Sequence, residues 1–237
     1  MSLALAASAA FVLAVVSAVA GFGGGVLLLP VFEALFGLRV AVPALTLVQL
    51  ISNGSRVGLN WREIDRRVVC WFALGAVPSA LLGGLVFAAA PLAPLQRLLG
   101  VFLIVVVVWR RSRPAPPRIR PRAFVGVGAG SGLGSALLGS VGPLTAPFFL
   151  AEGLTRGAYI GTEAASALTM HATKLLAYGV GDILTPRVLM IGAAMAPATI
   201  AGTWVGRRLI ERVSAAAFVL VVEAGLVVAA VLLVLGV

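Results

Sequence analysis

The chain has 237 residues, 61% of them hydrophobic and 11% charged, and a mean hydropathy of +1.11. Soluble domains run at roughly 45–50% apolar and about 25% charged, so this composition excludes a soluble globular protein. The net charge of +10 would suit nucleic acid in a soluble chain, but six arginines (Arg110, Arg111, Arg113, Arg118, Arg120 and Arg122) fall in one stretch, WRRSRPAPPRIRPR, which reads instead as a cytoplasmic loop touching anionic lipid heads.

In chain order, the first apolar run covers about residues 3–20. It ends in Ala18, Val19 and Ala20, which resembles a signal-peptidase site, but no Lys or Arg precedes it, so a retained first helix is expected. GFGGGVLLLP at 21–30 then sets four glycines in five positions before an apolar run closed by Pro30. Further apolar segments lie at about 26–36, 41–55, 68–89 and 94–109, and, beyond the arginine loop, at about 123–140, 143–152, 158–178, 187–206 and 214–236. The long ones approach the ~20 apolar residues that cross a ~30 Å hydrocarbon core, while those at 26–36 and 143–152 are too brief and are expected to re-enter or to span at a tilt. Strand-like alternation is absent, which disfavours a barrel. The single cysteine, Cys70, rules out an internal disulfide and a paired-thiol electron carrier, and reads as a packing residue.

The two sides of the loop match each other. Pro30 and Pro147, and Arg39 and Arg156, are 117 apart; Asn53 and His171, and Arg56 and Lys174, are 118 apart; Pro78 and Pro197, and Gly83 and Gly202, are 119 apart. Residues 1–109 are therefore expected to form a first transmembrane repeat, 110–122 a cytoplasmic Arg/Pro-rich linker and 123–237 a second repeat. Each half has about three full spans plus a short broken or re-entrant hairpin, roughly 8–10 hydrophobic segments in all. An odd number of crossings per half makes consecutive halves enter from opposite faces, so the fold class expected is an all-α polytopic membrane protein of two inverted repeats. The arginine loop, the Arg56/Arg62/Arg66/Arg67 region and Arg207/Arg208/Arg212 fall on one side if both termini are outside.

Inverted repeats with glycine- and proline-broken segments at matching positions are the sequence pattern of a secondary transporter. In hydrocarbon a broken helix is tolerated only where it faces protein or a water-filled cavity. A helix that starts at such a break turns free N–H groups and its positive dipole end towards the cavity, which favours an anion.

GFGGGVLLLP, the EID-R element at Glu63 to Arg66, GAVPSALLGG (75–84) and the weaker second copies GSVGPLTAP (139–147) and GAAMAPATIAG (192–202) resemble the sulfite exporter TauE/SafE family over about residues 20–235. The resemblance implies a membrane permease, in the cell (inner) membrane, for small and often sulfur-containing anions such as sulfite or organosulfonates. The second copy carries Ser140, Val141 and Gly142 where the first carries Gly23, Gly24 and Gly25.

Asn53 with Arg56, and His171 with Lys174, are each three residues apart and share a helix face, placing a polar-x-x-basic pair in both halves. Arg56, Lys174 and backbone N–H groups of the glycine breaks (Gly23, Gly24, Gly25, Gly142) are the expected anion ligands, with Gln49, Ser52, Asn53, Ser140, Thr145, Thr169 and His171 as neutral donors. Arg56 also suits a snorkelling role at the interface, and serines and threonines are equally ordinary as glue between helices. His171, the sole histidine, and Glu163, eight residues before it, are proton-coupling candidates, and Glu163 can also pair with Lys174. GVGAGSGLG places Gly126, Gly130 and Gly134 four apart, a small-residue packing pattern.

An intramembrane hydrolase would need a serine, Ser131 or Ser140, beside His171 as base. One histidine and one cysteine are too few soft ligands for a metal enzyme, so no metal, cofactor or enzymatic activity is expected. An assembly or scaffold role would not call for matching helix breaks. The expected partners are a small anionic substrate and the bilayer, and the sequence leaves room for a homodimer.

Overall fold

A computed structural model describes residues 2–20, 24–91 and 119–209, with isolated positions between 94 and 108. Gly23, the expected segment at 214–236, most of that at 94–109 and most of the linker lie outside the described residues. Eight α-helices are described: α1 (Ser2–Ala20), α2 (Gly24–Phe36), α3 (Leu38–Asn60), α4 (Arg66–Ala89), α5 (Phe124–Leu138), α6 (Gly142–Ala151), α7 (Arg156–Val180) and α8 (Pro186–Leu209), with a short 3-10 turn at Pro121–Ala123 and no strand among the described residues. The expected segment 41–55 extends to 38–60; at its C-terminal end polar Ser55 and Asn60 turn back onto their own helix, Ser55 Oγ donating to Ile51 O at 3.0 Å and Asn60 Nδ2 to Arg56 O at 2.8 Å.

Two helices, Arg66–Ala89 and Pro186–Gly206, are long and apolar enough to cross a membrane by length and composition. Leu74, Leu82, Leu85 and Val86 of α4 and Met190, Ile200 and Trp204 of α8 are exposed, the pattern of a face turned to lipid. The other long helices of the interior, α3 and α7, carry buried Asn53, Arg56, Glu163, His171 and Lys174, which lower their hydropathy. With 13 and 10 residues, α2 and α6 are only about 20 and 15 Å long at ~1.5 Å per residue, about half of a hydrocarbon core or a little more.

Close backbone approaches fix helix directions. A Cβ on Gly54 would touch Leu168 and one on Gly161 would touch Asn60, so α3 and α7 run antiparallel. Gly84 lies against Ala177 and Gly181 against Ala88, so α4 and α7 run parallel. Gly128 lies on the Phe72 carbonyl and Gly132 on the Ala76 carbonyl, so α4 and α5 also run parallel. Small-residue packing therefore does join α5 to its neighbour, but in a different register from the expected one: Gly126 and Gly130 face open space and Gly134 faces Val141, while Gly128 and Gly132 seat α4.

The helix pairings survive exchange of the two halves. α1 packs on α8 as α5 packs on α4; α3 packs on α8 as α7 packs on α4; α2 touches both α1 and α3 as α6 touches both α5 and α7; and the two pairs that map onto themselves, α3 with α7 and α2 with α6, are also in contact.

Asp65 is the N-cap of α4, its carboxylate accepting from Arg67 N at 2.9 Å and Val68 N at 3.2 Å, while its own N–H donates to Thr162 Oγ1 of α7 at 2.9 Å. Such a cap is worth ~1 kcal/mol, and here it also gathers the start of α4, the end of α3 and the start of α7 at one end of the bundle. Arg62, Arg66, Arg67 and Arg122, whose guanidinium lies 5.8 Å from the Trp71 ring, crowd that same end. At the opposite end Arg39 donates to the Phe87, Ala88 and Ala90 carbonyls and closes the C-terminus of α4.

Candidate functional site

On α3 the residues Gln49, Ser52, Asn53 and Arg56 stand at i, i+3, i+4 and i+7, which aligns them on one face. That face looks into a cavity of about 50 Å³, room for about four water molecules or one small anion. The cavity lies at mid-length of the antiparallel α3 and α7, where Gly54 meets Leu168.

Gly25 of α2 lines it, as do Ser140, Gly142 and Thr145 at the start of α6, and Glu163 and His171 of α7. Both short helices thus begin at the cavity. Val141, the N-cap of α6, brings no side-chain cap; Pro143 has no N–H and Leu144 N donates to Val141 O at 2.9 Å, so it is the Gly142 N–H that the first turn of α6 can offer to a ligand that accepts hydrogen bonds. A Cβ at 25 would stand 2.6 Å from the end of the Gln49 side chain, which would then have to shift, so glycine there leaves the Gln49 amide its place at the cavity. Gly24 opens α2.

Arg56 is the cavity's cation. Its Nη1 lies 3.0 Å from Glu163 Oε2, both side chains being 6% exposed, and its Nη2 donates to Asn53 Oδ1. The sequence offers Lys174 as partner of Glu163; the structure pairs Glu163 with Arg56, because α3 and α7 are antiparallel and the lower half of one faces the upper half of the other. Breaking such a buried pair on one side strands the other charge, at a cost of about 3–5 kcal/mol.

Lys174 is fully buried but does not line the cavity. Its Nζ donates to Ser135 Oγ and to Gly139 O, each at 3.0 Å. Gly139 ends α5 with φ +80, a left-handed conformation that glycine adopts freely, and its carbonyl also accepts from Gln49 Nε2 at 3.2 Å. The ammonium therefore sits at the negative end of the α5 dipole and holds the helix break closed.

Thr169 also stands apart from the cavity, its hydroxyl donating to Ser166 O at 2.8 Å. His171 does line it, and its Nδ1 has no hydrogen-bond partner among the described residues. Ser131, weighed as a nucleophile, is turned away onto Val127 O at 2.5 Å, whereas Ser140, like Ser52 and Ser135, lines the cavity with His171. No group of three or more His, Cys, Asp or Glu able to hold a metal occurs among the described residues.

Ser135 was not singled out by the sequence, although a signal was present: Ser17 stands 118 residues before it, the offset that relates Arg56 to Lys174. Ser135 also lines the cavity, and among its other walls Phe72, Phe149, Met170 and Thr199 carry no signal that separates them from ordinary core. Chemically, one guanidinium, several hydroxyls and amides and an uncapped helix start form a donor-rich cradle for an oxyanion. The family described as Sulfite exporter TauE/SafE matches residues 6–233 of the chain, while no curated protein and no solved structure matches it.

Proposed function

The chain belongs to the sulfite exporter TauE/SafE family of membrane transporters, and from that premise we propose that it is a secondary permease for small sulfur-containing anions such as sulfite or organosulfonates, working by alternating access. The observation that carries this reading is the cavity at mid-length of α3 and α7, onto which two short helices from the two halves open their first turns. The anion would be held by Arg56, Asn53, Ser52, Gln49, Ser140, Thr145, His171 and the backbone at Gly23–25 and Gly142, with Lys174 and Thr169 acting one layer behind.

Two inverted repeats, 1–109 and 123–237, underlie the mechanism. The exchange-symmetric helix pairings and the antiparallel course of α3 against its mate α7 support them. Rocking one half on the other then opens the same cavity to each face in turn. The arginine-rich end, with the 110–122 loop, faces the cytoplasm of the inner membrane and anionic lipid heads, and both termini are outside. Homodimerisation is compatible with this arrangement.

The test is flux in proteoliposomes of the full chain. Labelled sulfite, thiosulfate and methanesulfonate are offered separately, and at least one is expected to equilibrate at least tenfold faster than in protein-free vesicles. Rates equal to protein-free vesicles for all three would sink the reading.

A further inference from the structure

Glu163 is an awkward residue for an anion site: a carboxylate, 5% exposed, on the wall of a cavity whose one cation among the described residues, Arg56, it already holds at 3.0 Å. An entering oxyanion needs the same guanidinium. Were it to enter alone, Arg56 would face two negative groups where it and Glu163 are each only 6% exposed, and an unbalanced buried charge is poorly tolerated. We propose that Glu163 carries a proton together with the anion, so that each transport cycle moves one proton in the same direction as one anion; this rests on the permease reading above.

The step balances. A proton adds to the Glu163 carboxylate, the Arg56–Glu163 ion pair parts, and the guanidinium takes the anion in its place. The pair is neutral when empty, and the loaded site, protonated Glu163 with Arg56 and a monoanion, is neutral again. At the far face the anion leaves Arg56, the proton leaves Glu163, and the ion pair re-forms for the empty return.

The surroundings of Glu163 suit a carrier that swaps partners. From α3 the charged group facing it is Arg56, whose hold on Asn53 keeps the guanidinium in the cavity when Glu163 lets go. On its own helix the neighbouring titratable groups are Tyr159, one turn earlier, and His171, two turns later on the cavity wall. α4 turns Phe72 to the cavity, and its N-cap, Asp65, is engaged with Thr162. α6 contains no titratable residue. At offset 118 the mate of Glu163 is Leu45, so the carboxylate has no counterpart in the first half and the pair is a single, unduplicated device.

Methanesulfonate keeps one negative charge throughout the neutral range, so protons that accompany it are moved by the protein. In proteoliposomes of the full chain loaded with a pH-sensitive dye, wild type is expected to acidify the lumen by about one proton per methanesulfonate taken up, with uptake indifferent to an imposed membrane potential. In Glu163→Gln, net uptake driven by an inward proton gradient is expected to fall at least tenfold more than exchange of labelled for unlabelled methanesulfonate. Glu163→Asp should restore proton movement at a lower rate. Methanesulfonate uptake by wild type without acidification overturns the proposal, as does Glu163→Gln retaining the wild-type proton-to-anion ratio, or losing net uptake and exchange in equal measure. The wild-type ratio decides the matter even if Glu163→Gln yields no folded protein. Absence of sulfite, thiosulfate and methanesulfonate flux in wild type is a different failure, that of the permease reading.

Discussion

Arg56 and Lys174 stand 118 residues apart at matching places in the two halves, yet they are held by different chemistry. Arg56 points into the cavity and pairs with Glu163; Lys174 is turned onto the end of α5 through Ser135 and Gly139. Charge-assisted hydrogen bonds are worth about 1.5–3 kcal/mol each, so both residues matter, but to different observables. Arg56→Gln should weaken the apparent affinity for the transported anion at least about tenfold, an equivalent of ~1.4 kcal/mol, as read from flux against anion concentration. Lys174→Gln should leave that affinity within about threefold while lowering the melting temperature in detergent; a tenfold loss of affinity at unchanged melting temperature would return Lys174 to the ligand set. The polar-x-x-basic spacing that marks these residues is legible in the sequence. Their partners are not, because which carboxylate or carbonyl a cation meets depends on how α3 and α7 are laid side by side.

Glycine reads similarly at the level of the helix. The apolar segments found by composition fall on α1 to α8 within a few residues, since length and hydropathy decide where a membrane helix can run. Which face of α5 packs is a different matter: Gly126, Gly128, Gly130, Gly132 and Gly134 occur every second position, so spacing of four is satisfied by two registers. Contact with α4 selects Gly128 and Gly132, where an added Cβ would run into the Phe72 and Ala76 carbonyls. Substitution at the two sets should therefore differ in sign. At Gly126 and Gly130, where an added Cβ would meet nothing within 4 Å, alanine removes the flexibility cost of a helical glycine, about 0.8–1 kcal/mol. Gly126→Ala and Gly130→Ala are expected to hold or raise the melting temperature, and Gly128→Ala and Gly132→Ala to lower it or to abolish recovery of monodisperse protein. Equal effects at all four positions would contradict the α4–α5 register.

Across the whole molecule, the relative directions of α3, α4, α5 and α7 follow from a few close approaches, and topology follows from direction. The start of α4, the start of α7 and Arg122 ahead of α5 share one end of the bundle with Arg62, Arg66 and Arg67, while Arg39 and the turn at Asp182 lie at the other. Positive charge in short loops marks the cytoplasmic side, so the first end is expected to face inward and the Asp182 turn outward. Because α7 runs away from the arginine-rich end and α8 follows it back, the segment at 214–236 leads outward again if it crosses once. A periplasmic-only reporter fused after residue 237 should then be active, and a cytoplasmic-only reporter at the same place silent. With Cys70 replaced by alanine, a cysteine at position 182 should react with a membrane-impermeant maleimide added outside intact cells, and one at position 62 only after the membrane is opened. The opposite labelling at both positions would invert the whole assignment. Labelling of both from outside would break the link between the arginine cluster and the cytoplasmic face, and with it the support that charge lends to inverted repeats.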